Sequence, residues 1–567
     1  MAPIVVYAHM YAGTRSAASI ILPTNVLDKR YLVSTYKQAT NGIVENEEAK
    51  SQFSVIATED NTKIRITLRK NGVLSGSIYE VALLKSGDIY QYQDDQDLTG
   101  SEIESIPDGV NQCKRVAVFS GSSALHIPDT ETATGTSLDP LYQECYPTNS
   151  WGLNYFITPF RGKDKAIFRI MAQQDGTTIA YNNKVKTLNK GEFFESNSLD
   201  DPLPVQIQSL NKKPIAVTQF AYTQIQDQGV GDPEMIILNA SEQNIKDVTV
   251  FLSPKKAIID QNINVIIKNT GISSFKINGS LPKASFNQIG NTGYSYLQEN
   301  FPNVTSILSV KMSSYSGFNA FCYGFGENES YGYSAGTNVK DLNQFIEVKN
   351  PNAAVKFPAT CKGTPFNLSI TLPYKPTKLQ WDFKGNADLG ANPPALQNPD
   401  GSPLKPAEII KSVIDPTMDL YVYKLTSPYT FTQAGLYNIN VIVVNPTSNN
   451  CNGEQFINYD IEVFDAPSVD FTIDSVGCNY GPIKFIAKTI TDQKVVKYLW
   501  NFDASVLDTT TTNITTKTFP TAGLKVARVQ AITEIGCLSP VFKKDYELFP
   551  LPTGDFTIDK PFVRVIL

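Results

Sequence analysis

The sequence predicts an all-β protein of repeated β-sandwich and β-rich units followed by Ig-like β-sandwiches. Three observations carry this. Short runs at 53–57, 64–68 and 439–443 alternate apolar and polar residues with period two. Turn-forming pairs such as Asn71-Gly72, Gly87-Asp88 and Asn278-Gly279 bound them. Whole segments also recur along the chain. Amphipathic helices are scarce, and residues 406–413 form the one stretch expected to make a helical turn or two.

Composition narrows the function classes. The 567 residues are 41% hydrophobic and 11% aromatic, too apolar for a disordered chain. Charged residues reach 18%, below the ~25% of ordinary soluble domains. The net charge of −6 comes without a basic block, so the footprint of a nucleic-acid binder is missing. No apolar run approaches ~18 residues, and no membrane span is expected. Residues 4–7 read as a strand and not as part of a signal peptide. Any imidazole chemistry must use His9 or His126, the two histidines of the chain.

Taking the units in order, 56–64 recurs as 171–179, and 84–91 recurs as 188–195. A hydrophobic strand precedes each unit, at 4–7, 116–119 and 215–218. Residues 1–340 therefore divide into three units, 1–113, 114–213 and a more divergent 214–340. The Asp60-Asn61-Thr62 and Asp175-Gly176-Thr177 sites suit tight hairpin turns, which need positive φ; a metal role for the aspartates is the minor reading. Residues 350–465 and 466–550 share another layout. Each has an early Cys, a Trp-x-Phe strand (Trp381 to Phe383, Trp500 to Phe502), an aromatic residue before a Gly turn, and a late Cys. A buried Trp beside a strand-bridging pair is how small Ig-like sandwiches fill a thin core. Residues 551–567 open a further, truncated unit, since 552–559 repeats 467–474. The chain is accordingly read as a piece of a longer polypeptide, whose secretion signal and sorting segment would lie outside it.

Seven cysteines without a Cys-x-x-Cys argue against zinc ribbons and redox motifs. Sorted by unit, Cys361 is expected to pair with Cys451, Cys478 with Cys537, and Cys113 with Cys145, leaving Cys322 over. Such pairs imply an oxidising, extracellular setting; seven buried thiols are the alternative.

The motifs resemble two known families. Residues 4–9 and 19–23, the Ala-x-x-Asp-x-Thr turns and Trp151-Gly152-x-x-Tyr155 are similar to the N-terminal domain family of IgG-Fc-binding protein. Residues 231–235, 317–320 and 323–326 continue that likeness. Residues 350–465 and 466–550 resemble polycystic kidney disease (PKD) repeats, with the usual Trp-x-Phe-Gly-Asp-Gly degraded to Trp381-Asp382-Phe383-Lys384-Gly385 and Trp500-Asn501-Phe502-Asp503. The combination resembles long surface proteins that gliding bacteria export by type IX secretion. Kinship of fold does not carry the IgG ligand over.

Catalytic residues are not expected. His126 lies near Ser122 and Ser123, but no Gly-x-Ser-x-Gly elbow marks a nucleophile. No cofactor is expected, with calcium at Asp94, Asp95 and Asp97 the one candidate and a solvated loop the alternative. Tyr323, Phe325, Tyr331 and Tyr333, interleaved with glycines, could present flat rings to a sugar or a protein. Their alternative is a packing seam against the first PKD-like unit. The expected function is an extracellular, cell-surface adhesin: a β-repeat binding head on an Ig-like spacer, binding a glycan, mucin or surface protein. A structural component or cargo of a secretion or gliding complex, contacting its components, is the first alternative. An extracellular carbohydrate-active hydrolase is the second.

Overall fold

The computed structural model describes residues 5–557 except 14, 38–42, 45–46, 109–112, 129–137, 164, 197–202, 224–229, 259, 340, 342, 356–357, 413–416, 446–453, 475–476, 492 and 503–506. Nearly all regular structure is antiparallel β, with four short 3-10 turns and no α-helix among the described residues. Period-two patterning explains why. In Thr62–Lys70, Ile64, Ile66 and Leu68 are buried while Lys63, Arg65 and Thr67 stay partly wet. Asn71 and Gly72, at φ 49° and 79°, then turn the chain into Val73–Leu83. Two successive positive-φ residues match the twist of the strands they join.

The first pair of sheets faces Arg30–Leu32, Glu102–Ile106, Thr62–Lys70 and Val73–Leu83 against Asp139–Glu144, Val116–Leu125, Ser51–Ala57 and Ile89–Asp94, each in that order. Phe53, Val55, Ile64, Ile66, Val116 and Val118 fill the space between them. The second pair repeats the topology. Asn154–Ile157, Val205–Ser209, Thr177–Tyr181 and Lys184–Leu188 face Phe193–Glu195, Ala166–Ala172, Ile215–Ala221 and Glu234–Ile237. Asn61 and Gly176 do take positive φ, 56° and 65°. The turns they make, however, cross from one sheet to the other and are not hairpins. Asp60 accepts from the Ser86 amide at 2.8 Å and Asp175 from the Lys190 amide at 2.9 Å, so both carboxylates clamp a neighbouring turn.

The third element is one seven-stranded sheet hung on Leu308–Gly326. This strand bends near Gly317 (φ 72°), pairing with Ile245–Leu252 before the bend and with Asp260–Lys268 after it. The ribbon Val6–Ala12 and Arg15–Ile21 packs through its second strand on Asp139–Glu144 and Glu329–Ser334.

Two sandwiches follow. The first, 345–464, puts Ala354–Val355, Phe345–Lys349, Asn367–Leu372, Asp419–Lys424 and Glu408–Lys411 over Ala359–Cys361, Glu454–Phe464, Gly435–Val444, Lys378–Asp382 and Leu396–Gln397. Glu408–Lys411 is thus a strand, paired with Asp419–Lys424 where a helical turn was expected. The second, 468–549, puts Ser468–Ile473, Pro482–Ile490 and Ile514–Thr518 over Asp508–Thr510, Val495–Phe502, Gly523–Thr533 and Phe542–Leu548. Trp381 with Phe383, and Trp500 with Phe502, are buried at the two centres as the layout predicts.

The cysteine pairing differs from expectation. Cys361 is bonded to Cys537, joining the two sandwiches instead of closing a loop within either. The loop after Gly523–Thr533 overhangs its own sandwich and inserts Ile535 and Cys537 into the core of the preceding one. Cys478 is a half-buried free thiol, so the Cys478–Cys537 pair does not form. Cys113 is disulfide-bonded, but not to Cys145, a buried free thiol 3.1 Å from Ser120 Oγ. Cys322 is free and buried, and Cys451 lies outside the described residues.

Candidate functional site

The aromatic candidates are core residues. Tyr323 and Phe325 are buried against Phe160 of the second pair of sheets. Tyr331 and Tyr333 stack at 6.0 Å inside the third sheet, where Tyr333 also meets Tyr7 of the N-terminal ribbon at 4.5 Å. Their hydroxyls are spent internally. Tyr323 donates to Asn264 Oδ1 at 2.9 Å, Tyr331 to Gln261 Oε1 and Tyr333 to the Phe251 carbonyl. The interleaved glycines serve close packing: a Cβ at Gly332 would lie 2.7 Å from Glu234 Cγ. The rings pack against the second pair of sheets and the ribbon, not against the first PKD-like unit named in the alternative reading.

The calcium candidates point three ways. Asp94 pairs with Lys70 at 2.5 Å, Asp95 with Lys50, and Asp97 with Arg169 at 2.7 Å. No group of three or more His, Cys, Asp or Glu side chains among the described residues is placed to hold a metal ion. The nucleophile candidates are bound locally: Ser122 Oγ donates to the Tyr36 carbonyl, and Ser123 Oγ accepts from the Lys50 amide at 2.9 Å. His126 is buried. His9 Nδ1 sits 2.9 Å from Ser253 Oγ, and burial lowers its imidazole to about 4.

Sequence reasoning missed two buried polar centres. Arg169 lies between the first and second pairs of sheets, bonded to Asp97 and Glu195 and to the Thr35 carbonyl at 2.6 Å. Its guanidinium stacks 4.3 Å from the Tyr36 ring and 4.5 Å from Phe193. Burial alone would raise the Asp97 carboxyl, but Arg169 and the Thr99 and Thr35 hydrogen bonds outweigh it and hold the group below its ordinary range. The available signal was a lone Arg inside the apolar strand Ala-Ile-Phe-Arg-Ile-Met-Ala.

The second centre is a knot of carboxyl groups where Arg15–Ile21, Asp139–Glu144, Glu234–Ile237 and Glu329–Ser334 meet. Asp139 accepts from the Ser16 amide at 2.8 Å and the Ser330 amide at 3.0 Å, and Ser16 Oγ donates to Glu329 at 2.8 Å. Burial, reinforced by Asp232, Glu234 and Glu329, pushes the Asp139 carboxyl up to about 10. Burial and Glu329 push Asp232 up to about 7 against the pull of Lys163, and burial drives Glu234 well above its ordinary value. Asp139-Pro140 and Asp232-Pro233 did not mark this knot in the sequence, because Asp-Pro also stands at 201–202 and 415–416.

One outward feature is an edge strand that exposes apolar side chains, with a bulge and the ion-paired Glu80 along it. Val73–Leu83 is the last strand of its sheet and pairs, among the described residues, with Thr62–Lys70 alone. Along it Val73, Leu74 and Ile78 are 68%, 57% and 62% exposed, and nearby Leu84 and Ile89 are 65% and 63% exposed. The corresponding edge of the second pair, Lys184–Leu188, carries Lys184 and Lys186 around its exposed Val185. Lysines on an edge strand discourage further pairing, whereas a long apolar edge is a template for an added strand.

Comparison with solved structures finds low-identity similarity to small β modules. The fibronectin(III)-like modules of Clostridium thermocellum CbhA match at 15% identity and TM-score 0.22, over 38% of this chain and 100% of theirs. The FN1-FN3 domains of chicken CNTN1 match at 10% and 0.19, over 54% and 96%. The D00-D0 domain of Intimin matches at 13% and 0.14, over 36% and 98%. No curated protein matches the chain. The family model described as IgGFc binding protein matches residues 17–324, more than half of the sequence, and the chain belongs to that family.

Proposed function

We propose that this protein is a non-catalytic, extracellular surface-binding protein of the adhesin type. Its head binds through the Val73–Leu83 edge, and its two sandwiches act as a spacer. The lysine-free edge with its exposed Val73, Leu74 and Ile78 carries this reading: unpaired backbone groups supply affinity to an extended partner segment, and flanking apolar side chains supply selectivity. That chemistry favours a protein, such as a mucin or another surface glycoprotein, over a bare glycan. Membership of a binding family supports the reading, and the Cys361–Cys537 bond suits an oxidising exterior. The Trp-x-Phe centres support classing the sandwiches as PKD repeats, and the resemblance of the combination supports export by type IX secretion. A structural role in a surface complex is favoured by the covalent joint between sandwiches.

The test is an array of mucins, surface glycoproteins and free glycans probed with the full chain and with Ile78→Lys. Saturable protein binding that weakens about tenfold in the variant, at unchanged melting temperature, is the expected result. Binding that ignores the substitution removes the edge from the proposal. No binding at all leaves the structural role in its place.

A further inference from the structure

The far ends of the two C-terminal sandwiches are built alike. In the first, Cys361 pairs in parallel with Phe464 at the end of the last strand. The next three amides donate to the Phe464 carbonyl at 2.9 Å, the Phe431 carbonyl at 2.8 Å and the Cys361 carbonyl at 3.2 Å. In the second, Cys478 pairs in parallel with Phe549. Its next three amides donate to the Phe549 carbonyl at 3.0 Å, the Phe519 carbonyl at 2.8 Å and the Cys478 carbonyl at 3.2 Å. Even the left-handed residue coincides, φ 70° at Gly363 and 66° at Tyr480. A tyrosine held there is a costly match. Cys478 is therefore the structural counterpart of Cys361.

Among the described residues, the two ends differ in what covers them. On the first, the loop of the following sandwich is seated. Ile535 and Cys537 are buried in its core, Asn350 Nδ2 donates to the Ile535 carbonyl at 2.7 Å, and Asn352 Nδ2 to the Gly536 carbonyl at 3.0 Å. Gly536 is required by this fit, since a Cβ there would lie 2.3 Å from Asn350 Oδ1. On the second, Ile473, Ile483, Leu548 and Phe549, with Gly477 and Glu547, line an open cleft of about 250 Å³, and Cys478, a free thiol, follows Gly477 and pairs with Phe549. Residues 552–559 repeat the segment 467–474 with which the second sandwich begins.

We propose that this cleft and Cys478 are the receptor for the Ile-Gly-Cys loop of a following sandwich of the same kind, begun by the repeat at 552–559. That loop would dock by burying its isoleucine and lock by a disulfide, as Cys537 does on Cys361. Forming the bond from two thiols needs a disulfide oxidant, such as oxidised glutathione. Cys478 thiolate displaces one glutathione thiol, the incoming cysteine displaces the second, and both protons end on the released thiols. Sandwiches joined in this way form a string restrained at each joint, where simple linkers would leave the joints mobile. The proposal stands apart from what the head binds.

The test uses the full chain and a synthetic peptide of its own residues 533–540, Thr-Glu-Ile-Gly-Cys-Leu-Ser-Pro, activated as a 2-thiopyridyl disulfide. Release of pyridine-2-thione reports the exchange, and peptide mapping locates the adduct. We expect one equivalent at Cys478, formed about tenfold faster than with alanine in place of the peptide's isoleucine, and no adduct in Cys478→Ser. Equal rates for the two peptides, an adduct elsewhere, or covalent dimers of the chain through Cys478 forming in preference would overturn the proposal.

Discussion

Arg169→Met is expected to destabilise the head by roughly 3–5 kcal/mol, the range for breaking a buried ion pair by removing one partner. Arg169 is almost fully buried, and its guanidinium is shared by Asp97, Glu195 and the Thr35 carbonyl. Asp97 is as deeply buried. Without the arginine its carboxylate keeps the Thr35 and Thr99 hydrogen bonds but loses the charge that offsets its desolvation. A second substitution separates charge from shape. Adding Asp97→Asn to Arg169→Met removes the stranded charge while leaving an oxygen to accept from Thr99, and should recover part of the loss. Urea denaturation of both variants measures the effect. A cost under about 1 kcal/mol for the single variant would show that the pair is incidental to the joint between the first two pairs of sheets.

The carboxyl knot predicts a pH dependence of opposite sign to ordinary acid unfolding. Groups whose folded value is raised hold protons that the unfolded chain releases. Their stabilising contribution is complete below the ordinary carboxylate range and is lost as pH rises through the folded value. For Asp232 that loss falls between about pH 4 and 7, and for Asp139 it continues toward 10. Asp97 and Asp94, held low by Arg169 and Lys70 against burial, act oppositely and lose their contribution only in strong acid. The melting temperature should therefore peak in mild acid and fall by several degrees between pH 5 and 9. Glu234→Gln should flatten that fall. Glu234 Oε1 accepts from the Met235 amide at 2.8 Å, a bond the amide oxygen of glutamine would keep while the group can no longer ionise. A wild-type profile that is flat from pH 5 to 9, or a variant that falls just as steeply, would sink this account.

Reading the chain in one dimension settled whatever depends on neighbours a few residues apart. Alternation in segments such as Thr62–Lys70 and turn pairs such as Asn71-Gly72 act locally, so the strands and many of their turns were legible. The same holds for the buried Trp381 and Trp500, since each sits in a short motif whose pattern repeats. Glycine-spaced aromatics were legible as a cluster but not as buried or exposed, because the same rings suit either a ligand or a packing seam. Which of the two they form depends on whether another sheet lies over them, and Phe160 and Tyr7 come from segments far away in sequence. Asp94, Asp95 and Asp97 looked like one site because they are neighbours in sequence, yet the strand end aims them at Lys70, Lys50 and Arg169 separately. Cysteine partners were beyond reach for a related reason. Sorting by unit assumes that a bond closes within a core, whereas Cys537 rides on a loop that completes its neighbour's core. Sequence alone determined that the chain is β, repeated and built around small aromatic centres, because those properties follow from side-chain period and turn chemistry. Only the tertiary structure decided which edges meet, which charges are buried together and which thiols are joined, because those depend on contacts between segments that no local pattern relates.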